Sequence, residues 1–315
     1  MLHETTKFVA GFDRRSFIMA AAGAAGVGAG LARAATAGAQ TGPGAASAPP
    51  SSPPSAVPGR VVVERRGAVL LIGIDRPQAQ NRLDAPIIIG LGKAYYQLEH
   101  DDELRAGVLH GVGADFCMGL DVPAFTAAQA AGILPSKDPD IINPLGLRPP
   151  PRTKPVVVAV QGGTNAVGHE LFLAADIRVA AADATFSQLE VTRGVFPAGG
   201  ATIRFTREAG WGNAMRYMLT GDKWGAEEAY RLGLVQVVVP AGKQLDRAIE
   251  LANKIAAAAP LGVAATLVSA RQAIGNEDAA LQALQPEFQR ILKSEDAQEA
   301  LRAVREGRPP RYQGR

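Results

Sequence analysis

Short apolar runs alternate with amphipathic stretches between residues 60 and 240. Runs rich in Val, Ile and Leu that are bounded by turn residues are typical of β-strands. The first two runs flank Arg66-Gly67, which predicts a tight turn between two paired strands. Strands are predicted at residues 61–64, 68–74, 106–111, 156–160, 177–181 and 234–239.

A helical spacing of apolar positions follows the first pair of strands. Ile88, Leu91, Tyr95 and Leu98 recur every three or four residues and form one stripe. Asp84 precedes this stripe and can cap the helix with its carboxylate. Residues 126–154 are irregular and rich in proline, which predicts a surface excursion near a site.

The last third of the chain has a helical pattern. A helix is predicted over 226–232, where Gly233 is placed to end it. From Gln244 the helical pattern continues to about Arg305. The breaks predicted within it fall at Pro260, Gly275 and Ser294. Strands that alternate with helices and then give way to helices alone predict an α/β domain with a helical C-terminal part from about residue 242.

The first 59 residues differ in composition from this body. Arg14-Arg15 stands beside Phe17-Ile18, a weakly apolar Ala/Gly run follows, and Ala37-Gly38-Ala39 precedes Gln40. Residues 1–39 therefore resemble a twin-arginine export signal, too short and glycine-rich for a stable membrane span. The alternative is an N-terminal extension without a role in export. Residues 40–59, rich in Pro, Ala and Ser, predict an extended linker, and the folded domain is expected over 60–315.

Charge and cysteine content exclude several classes of protein. Residues 1–39 account for two of the three net positive charges, and a body at +1 argues against nucleic acid as the main partner. Cys117 is the single cysteine, so no intramolecular disulfide forms, and its apolar context predicts a small buried side chain. No metal site is expected from the scattered histidines His3, His100, His110 and His169.

Two glutamates suggest an enzyme. Glu170 lies in an otherwise apolar stretch, and Glu190 follows Phe186-Ser187-Gln188-Leu189. A carboxylate among apolar residues is costly unless it is paired or used, and two that converge on one cleft suit proton transfer. The alternative is structural: Glu170 pairs with Arg178 or Arg193, and Glu190 is exposed.

Four collinear segments resemble those of the crotonase (enoyl-CoA hydratase/isomerase) family. They are residues 75–81, 116–121, 154–170 and 186–200, and the similarity extends over about 60–312 with further matches at 226–240 and 294–297. The resemblance implies a spiral of ββα units with a helical C-terminal trimerisation region. It also implies a homotrimer or hexamer, an acyl-CoA substrate, and no cofactor apart from the coenzyme A of that substrate.

The resemblance also implies a mechanism. Backbone N–H groups of Leu120 and Val167 would form an oxyanion hole for the thioester oxygen. Glu170 would take a proton from water and Glu190 would deliver one to the α-carbon. Glutamates at both positions favour hydration over a reaction that needs one carboxylate. Further substrate or coenzyme A contacts are expected from Asn81, Arg82, Met118, Gly119, Asp121, His169, Lys293 and Arg308.

This sequence departs from the family pattern at several of those positions. Ala166-Val167-Gly168 replaces a glycine run, so Val167 would narrow the pocket and would be strained at a positive φ. His169 either packs in the core or touches the site, and Asp121 either caps a helix or touches the site. Arg308 or Lys293 would replace a lysine that binds coenzyme A phosphates.

Three functions remain open at this level. The first is an enoyl-CoA hydratase-type lyase. The second is another crotonase reaction, such as double-bond isomerisation or thioester hydrolysis. The third is a non-catalytic module that binds acyl-CoA or a partner. A working signal would engage the twin-arginine export machinery and place the protein in the periplasm or outside the cell. Otherwise it is cytoplasmic, where CoA thioesters are expected.

Overall fold

The computed structural model describes residues 57–315. The export signal predicted over 1–39 and residues 40–56 of the predicted linker lie outside the described residues. The strands are β1 (Arg60–Arg66), β2 (Val69–Asp75), β3 (Ala106–Gly111), β4 (Val156–Val160), β5 (Gly163–Asn165), β6 (Ile177–Ala181), β7 (Thr185–Ser187), β8 (Lys223–Gly225) and β9 (Val237–Val239).

The helices include a C-terminal set that matches the predicted breaks. They are α1 (Ala85–His100), α2 (Val122–Ala130), α3 (Val167–Leu173), α4 (Ala201–Ala209), α5 (Trp211–Thr220), α6 (Ala226–Arg231), α7 (Gln244–Ala256), α8 (Pro260–Gly275), α9 (Glu277–Leu292) and α10 (Glu295–Glu306). Pro260 begins α8, Gly275 ends it, and the Ser294 hydroxyl caps α10.

Two sheets arise from repeated units. The larger has the strand order β1-β2-β3-β4-β6-β9, and the smaller has the order β5-β7-β8. Strands β4 and β6 each lie in the large sheet, and the strand that follows each of them, β5 or β7, adds to the small sheet. Apart from the β1–β2 hairpin, the large sheet is parallel. The chain therefore winds as a spiral in which the helix α3 follows the β4–β5 pair.

The inner strands β2, β3, β4 and β6 of the large sheet are buried on both faces, which explains their apolar runs. Because side chains alternate along a strand, Val157 and Ala159 face α7, whereas Val156, Val158 and Val160 join the core around α1. On α7 the residues buried against the sheet are alanines, Ala248, Ala252 and Ala256, so the helix approaches the strands closely.

The predicted boundaries of two segments were wrong. Helix α2 occupies residues 122–130 and so extends into the stretch predicted to be irregular from 126. Its apolar and polar residues do not segregate to opposite faces, so periodicity gave no signal. The strand predicted over 234–239 is confined to Val237–Val239, because Leu234 and Val235 lie in the turn after α6, where their N–H groups bond to the carbonyl of Ala229.

Among residues 57–315, no single helix is long and apolar enough to span a membrane. The pair α7 and α8 passes that test of length and composition together, with a bend of 107° between them.

Candidate active site

Glu170 is buried in the fourth position of α3 and is 2% exposed. Its Oε1 accepts a hydrogen bond of 3.1 Å from the N–H of Ala201, at the start of α4. A Cβ at Gly199 would lie 2.2 Å from Oε2 of Glu170, so a larger residue there would displace the carboxylate. Burial raises the pKa of Glu170 to about 7, and the charge of Glu190 contributes in the same direction.

Glu190 begins a 3₁₀ turn (Glu190–Arg193) and is half-buried. Its Oε1 accepts a hydrogen bond of 2.8 Å from Nε2 of Gln188. Its Oε2 is buried and has no hydrogen-bond partner within the described part of the chain. Burial raises the pKa of Glu190 as well.

The two carboxylates are therefore electrostatically coupled and not neutralised by a cation. Arg178, one of the arginines considered as a partner for Glu170, pairs with Glu208 instead. Among residues 57–315, neither Glu170 nor Glu190 forms an ion pair. Two interacting carboxylates with raised pKa values share protons as a pair, so one is suited to act as a base while the other acts as an acid.

The backbone N–H of Leu120 is unused within residues 57–315. Its neighbours bond on either side: the carbonyl of Gly119 accepts from Leu83, and the N–H of Asp121 donates to the Leu83 carbonyl, both over 2.9 Å. Gly119 has φ +104, a conformation that glycine adopts freely. A Cβ there would lie 3.4 Å from the Cβ of Ala166, so the Leu120 segment lies beside the start of α3.

Val167 is the first residue of α3, so its N–H has no partner inside the helix. The positive φ of this segment falls at Ala166 (φ 51°, ψ −124°), and Val167 is not among the residues with positive φ. The strain considered for Val167 is therefore located one residue earlier. The side chain of Val167 packs against the main core.

Asp121 caps α2, accepting from the N–H of Ala124 over 3.2 Å. Its other oxygen pairs with Nη1 of Arg76 at 2.8 Å. Arg76 also approaches Asp84, the residue that caps α1, with Nε and Oδ2 3.5 Å apart. All three side chains are at least 94% buried. This network fixes the backbone that carries the Leu120 N–H.

The remaining predicted residues differ in burial and in hydrogen-bond partners. Asn81 is buried, and its side chain accepts from the N–H of Arg76 and donates to two carbonyls. The guanidinium of Arg82 lies near the surface and bonds to Gln80, and Sδ of Met118 lies 3.1 Å from Nδ2 of Asn165. Their roles in substrate binding stay predictions.

The two cationic side chains expected to bind coenzyme A differ in their exposure and in their ion pairs. Lys293 is exposed at the end of α9. Arg308 forms ion pairs with Glu299 and Glu306. Its guanidinium therefore has internal partners, and its part in binding coenzyme A stays a prediction.

Cys117 and His169 are both buried in the core, as one of the readings of each predicted. Burial raises the pKa of the Cys117 thiol to about 12, so it is not a thiolate nucleophile near neutral pH. His169 is fully buried, with its ring against Phe172, Phe186, Phe205 and Trp224.

Three contributors to the site were not predicted from the sequence. Gln188 holds Glu190, the N–H of Ala201 holds Glu170, and Arg76 anchors Asp121. The adjacent glycines Gly199-Gly200 were the available signal, since such pairs often mark a close approach of backbone to another group. Nothing in the local sequence indicates where Gln188 or Arg76 points. Among the described residues, no group of three or more His, Cys, Asp or Glu is placed to hold a metal ion.

Comparisons with known proteins identify the family of this chain. A model of the family "Enoyl-CoA hydratase/isomerase" matches residues 64–315. Enoyl-CoA hydratase EchA19 of Mycobacterium tuberculosis is 35% identical over 257 residues, which cover 81% of this chain and 96% of that protein. Carnitinyl-CoA dehydratase of Proteus mirabilis is 34% identical over 257 residues, 79% of this chain and 97% of the relative.

A solved structure shows the same fold. The crystal structure of a probable enoyl-CoA hydratase/isomerase from Mycobacterium abscessus superposes with a TM-score of 0.77 at 45% identity, covering 81% of this chain and 98% of that one. The predicted crotonase-type α/β fold with a helical C-terminal region is thereby confirmed. The chain belongs to the enoyl-CoA hydratase/isomerase family of enzymes.

Proposed function

We propose that the protein is an enoyl-CoA hydratase that adds water across the 2,3 double bond of an acyl-CoA thioester. The observation that carries the proposal is the coupled pair Glu170 and Glu190, both with raised pKa values and neither ion-paired within residues 57–315. A reaction that only shifts a double bond can proceed with one carboxylate, whereas hydration uses one group as base and one as acid. The relatives named as a hydratase and a dehydratase support the same reaction class, since dehydration is its reverse.

In the proposed mechanism the thioester oxygen accepts hydrogen bonds from the N–H groups of Leu120 and Val167. These donors are fixed before the reaction, so they stabilise the charge that develops on the oxygen as the enolate forms. Val167 adds the favourable field of a helix N-terminus.

Proton transfer is assigned to the two glutamates. Glu170 accepts a proton from the attacking water while the water oxygen bonds to C3. Glu190 gives its proton to C2, so the product is the 3-hydroxyacyl thioester with no net change in protons. The reaction takes no cofactor, because coenzyme A arrives as part of the substrate.

The test is a panel of trans-2-enoyl-CoA esters of short, long and aromatic acyl groups, with the protein from Gln40 onward. Hydration is followed as loss of the conjugated thioester absorbance together with a product that is heavier by one water. A shifted double bond at unchanged mass identifies an isomerase, and free coenzyme A thiol identifies a hydrolase. Binding without turnover of any ester identifies a binding module.

We also propose that the C-terminal helices mediate formation of a homotrimer or a hexamer of two trimers. Helices α8 and α9 expose Val268, Ile274, Leu281, Leu284, Phe288 and Leu292. Light scattering during size-exclusion chromatography measures the assembled mass. A monomer at micromolar concentration contradicts this proposal.

Export remains a separate proposal, because residues 1–39 lie outside the described residues. If the twin-arginine-like signal is used, the mature protein begins near Gln40 and is periplasmic or exported. Cell fractionation with N-terminal sequencing decides this. Retention of Met1 in the cytoplasm contradicts export and agrees with the place where CoA thioesters are expected.

A further inference from the structure

A chain of side-chain hydrogen bonds leads from the core to Glu190. Nδ1 of His169 lies 2.5 Å from Oε1 of Gln188, and Nε2 of Gln188 donates to Oε1 of Glu190 over 2.8 Å. His169 and Gln188 are both fully buried, at 0% exposure. Within residues 57–315, neither side chain forms a hydrogen bond with the N–H of Leu120 or of Val167, the two donors of the proposed oxyanion hole.

The direction of this chain follows from the chemistry of the ring. Burial lowers the pKa of His169 to about 4, so near neutral pH the ring is neutral and carries a single N–H. Nε2 of His169 is buried without a partner in the described structure. The rings of Phe172, Phe186, Phe205 and Trp224 surround it, and none of them carries a hydrogen-bond acceptor.

A proton on Nε2 would therefore be an unpaired buried donor, which is costly. The proton belongs on Nδ1, where Oε1 of Gln188 accepts it. With its oxygen held by His169, the amide of Gln188 presents its NH₂ group to Glu190. A carboxyl proton on Oε1 of Glu190 would clash with that donor, whereas Oε2 has no partner in residues 57–315.

Resting on the proposed hydration, we infer that His169 is a positioning residue which, through Gln188, keeps Oε1 of Glu190 as an acceptor and leaves Oε2 to carry and deliver the proton. His169 does not touch the reacting atoms in this assignment. It selects which oxygen of Glu190 is protonated and fixes the rotation of the carboxyl group about its last bond.

The same series of hydrogen bonds affects the pKa of Glu190. The hydrogen bond from Gln188 stabilises the carboxylate and lowers its pKa against the effect of burial. The other charged groups that act on this region are Glu170 on α3, Arg193 on the turn of Glu190 itself, and Arg178 and Arg204, which act on His169 and Glu170. Loss of the Gln188 bond removes a stabilising contact from the anion, so the pKa of Glu190 rises.

The kinetic test compares His169→Leu with His169→Asn. The two new side chains have the same branched shape, but only Asn places an N–H donor where Nδ1 of His169 lies. The Leu variant is expected to lose about 10- to 100-fold in kcat, with KM within about twofold, since a misdirected catalytic group costs rate more than binding. Its pH–rate profile is expected to move to higher pH.

The Asn variant is the matched control. It buries an extra amide oxygen in an aromatic cage, so it is expected to unfold more readily than the Leu variant and yet to be about 10 times more active. A role in packing alone predicts the opposite order of activity. Equal activity of the two variants, with the wild-type pH profile in both, would overturn the inference.

A second measurement is independent of turnover. With ¹⁵N-histidine labelling, the ring signals absent from the His169→Asn variant belong to His169. They are expected to show a neutral ring protonated at Nδ1, and protonation at Nε2 would overturn the inference. In ¹³C-glutamate-labelled protein the carboxyl signal of Glu190, assigned with Glu190→Gln, is expected to titrate at higher pH in the Leu variant. An unchanged titration would also overturn it, whereas absence of ester turnover in the wild type would contradict only the proposed hydration.

Discussion

The carboxylates of Glu170 and Glu190 are near enough for the charge of Glu190 to raise the pKa of Glu170. Each has one oxygen engaged by a neutral donor: the N–H of Ala201 for Glu170 and the amide of Gln188 for Glu190. A neutral donor orients a carboxylate but leaves it free to take up a proton. An arginine partner would instead hold the carboxylate in its charged form. Because burial raises the pKa of both groups, the pair is better suited to hold and transfer a proton than the carboxylate of a structural ion pair.

Replacement of either glutamate should abolish most hydration. Glu170→Gln and Glu190→Gln each keep the shape but lose the proton-transfer group, so kcat is expected to fall by about 10²- to 10⁴-fold. Glu227→Gln, at an exposed position on α6, is the matched control and should match the wild type. A rate within twofold or so of wild type in either active-site variant removes that residue from the proton transfer.

Glu170 should also make stability depend on pH. Its pKa in the folded protein, about 7, is raised by burial above the ordinary value of 4.5. The folded state thus holds the proton more tightly. The resulting stability is fully present below about pH 4.5 and is lost as the pH rises through about 7.

The free energy of unfolding of Glu170→Gln, measured by urea titration at fixed protein concentration, shows this effect. Relative to wild type it should rise by up to about 3 kcal/mol between these pH values, from 1.36 kcal/mol per pKa unit. A constant difference between the two proteins across that range contradicts the raised pKa.

Ala166→Gly should stabilise the protein. Ala166 has φ 51° and ψ −124°, a region in which a non-glycine residue costs roughly 1–3 kcal/mol. Glycine relieves this cost but adds entropy to the unfolded chain, so a net gain of about 1 kcal/mol is expected. Ala174→Gly, at φ −81°, is the control and should lose up to about 1 kcal/mol. Equal losses at both positions would show that Ala166 is not strained.

Arg76 should contribute far more to the stability of the fold than an exposed arginine does. Arg76→Leu leaves Asp121 without its buried ionic partner beside the Leu120 N–H, so a loss of about 3–5 kcal/mol is expected. Arg60→Leu breaks an ion pair with Asp75 in which Arg60 is 75% exposed, and should cost about 0–1 kcal/mol. Chemical denaturation of both variants measures the difference, and similar losses contradict a structural role for the buried network.

Val167→Gly should broaden the range of acyl groups accepted. The variant keeps the N–H and removes a branched side chain at the start of α3, so esters with bulkier acyl groups are expected to gain in kcat/KM relative to short ones. The same ester panel measures the ratio in both proteins. An identical profile shows that the Val167 side chain does not line the acyl pocket.

Hydrophobic periodicity, together with helix-breaking and helix-capping residues, was sufficient to predict many elements from the sequence. The breaks at Pro260, Gly275 and Ser294 fall where α8 begins, α8 ends and α10 is capped. Asp84 and Asp121 cap helices, as their positions before apolar runs indicate. These features depend on local backbone chemistry, which a short segment carries by itself.

Other elements were not predicted. The strands β5, β7 and β8 have three residues each and were not predicted, because such short segments become strands only by pairing with one another. Helices α4 and α5 were likewise not predicted in the stretch after Glu190. Their positions follow from packing against the core that the earlier units build.

For the candidate site, the sequence by itself determined which groups are present: two glutamates, a glycine before Leu120, and Val167 three residues before Glu170. The tertiary structure decided what each group does. It placed the Ala201 N–H on Glu170, directed Gln188 between His169 and Glu190, and paired Arg178 with Glu208. Burial, hydrogen bonding and charge coupling act between residues that are distant in the chain, so the pKa values and proton positions that govern the chemistry arise only once the fold brings those residues together.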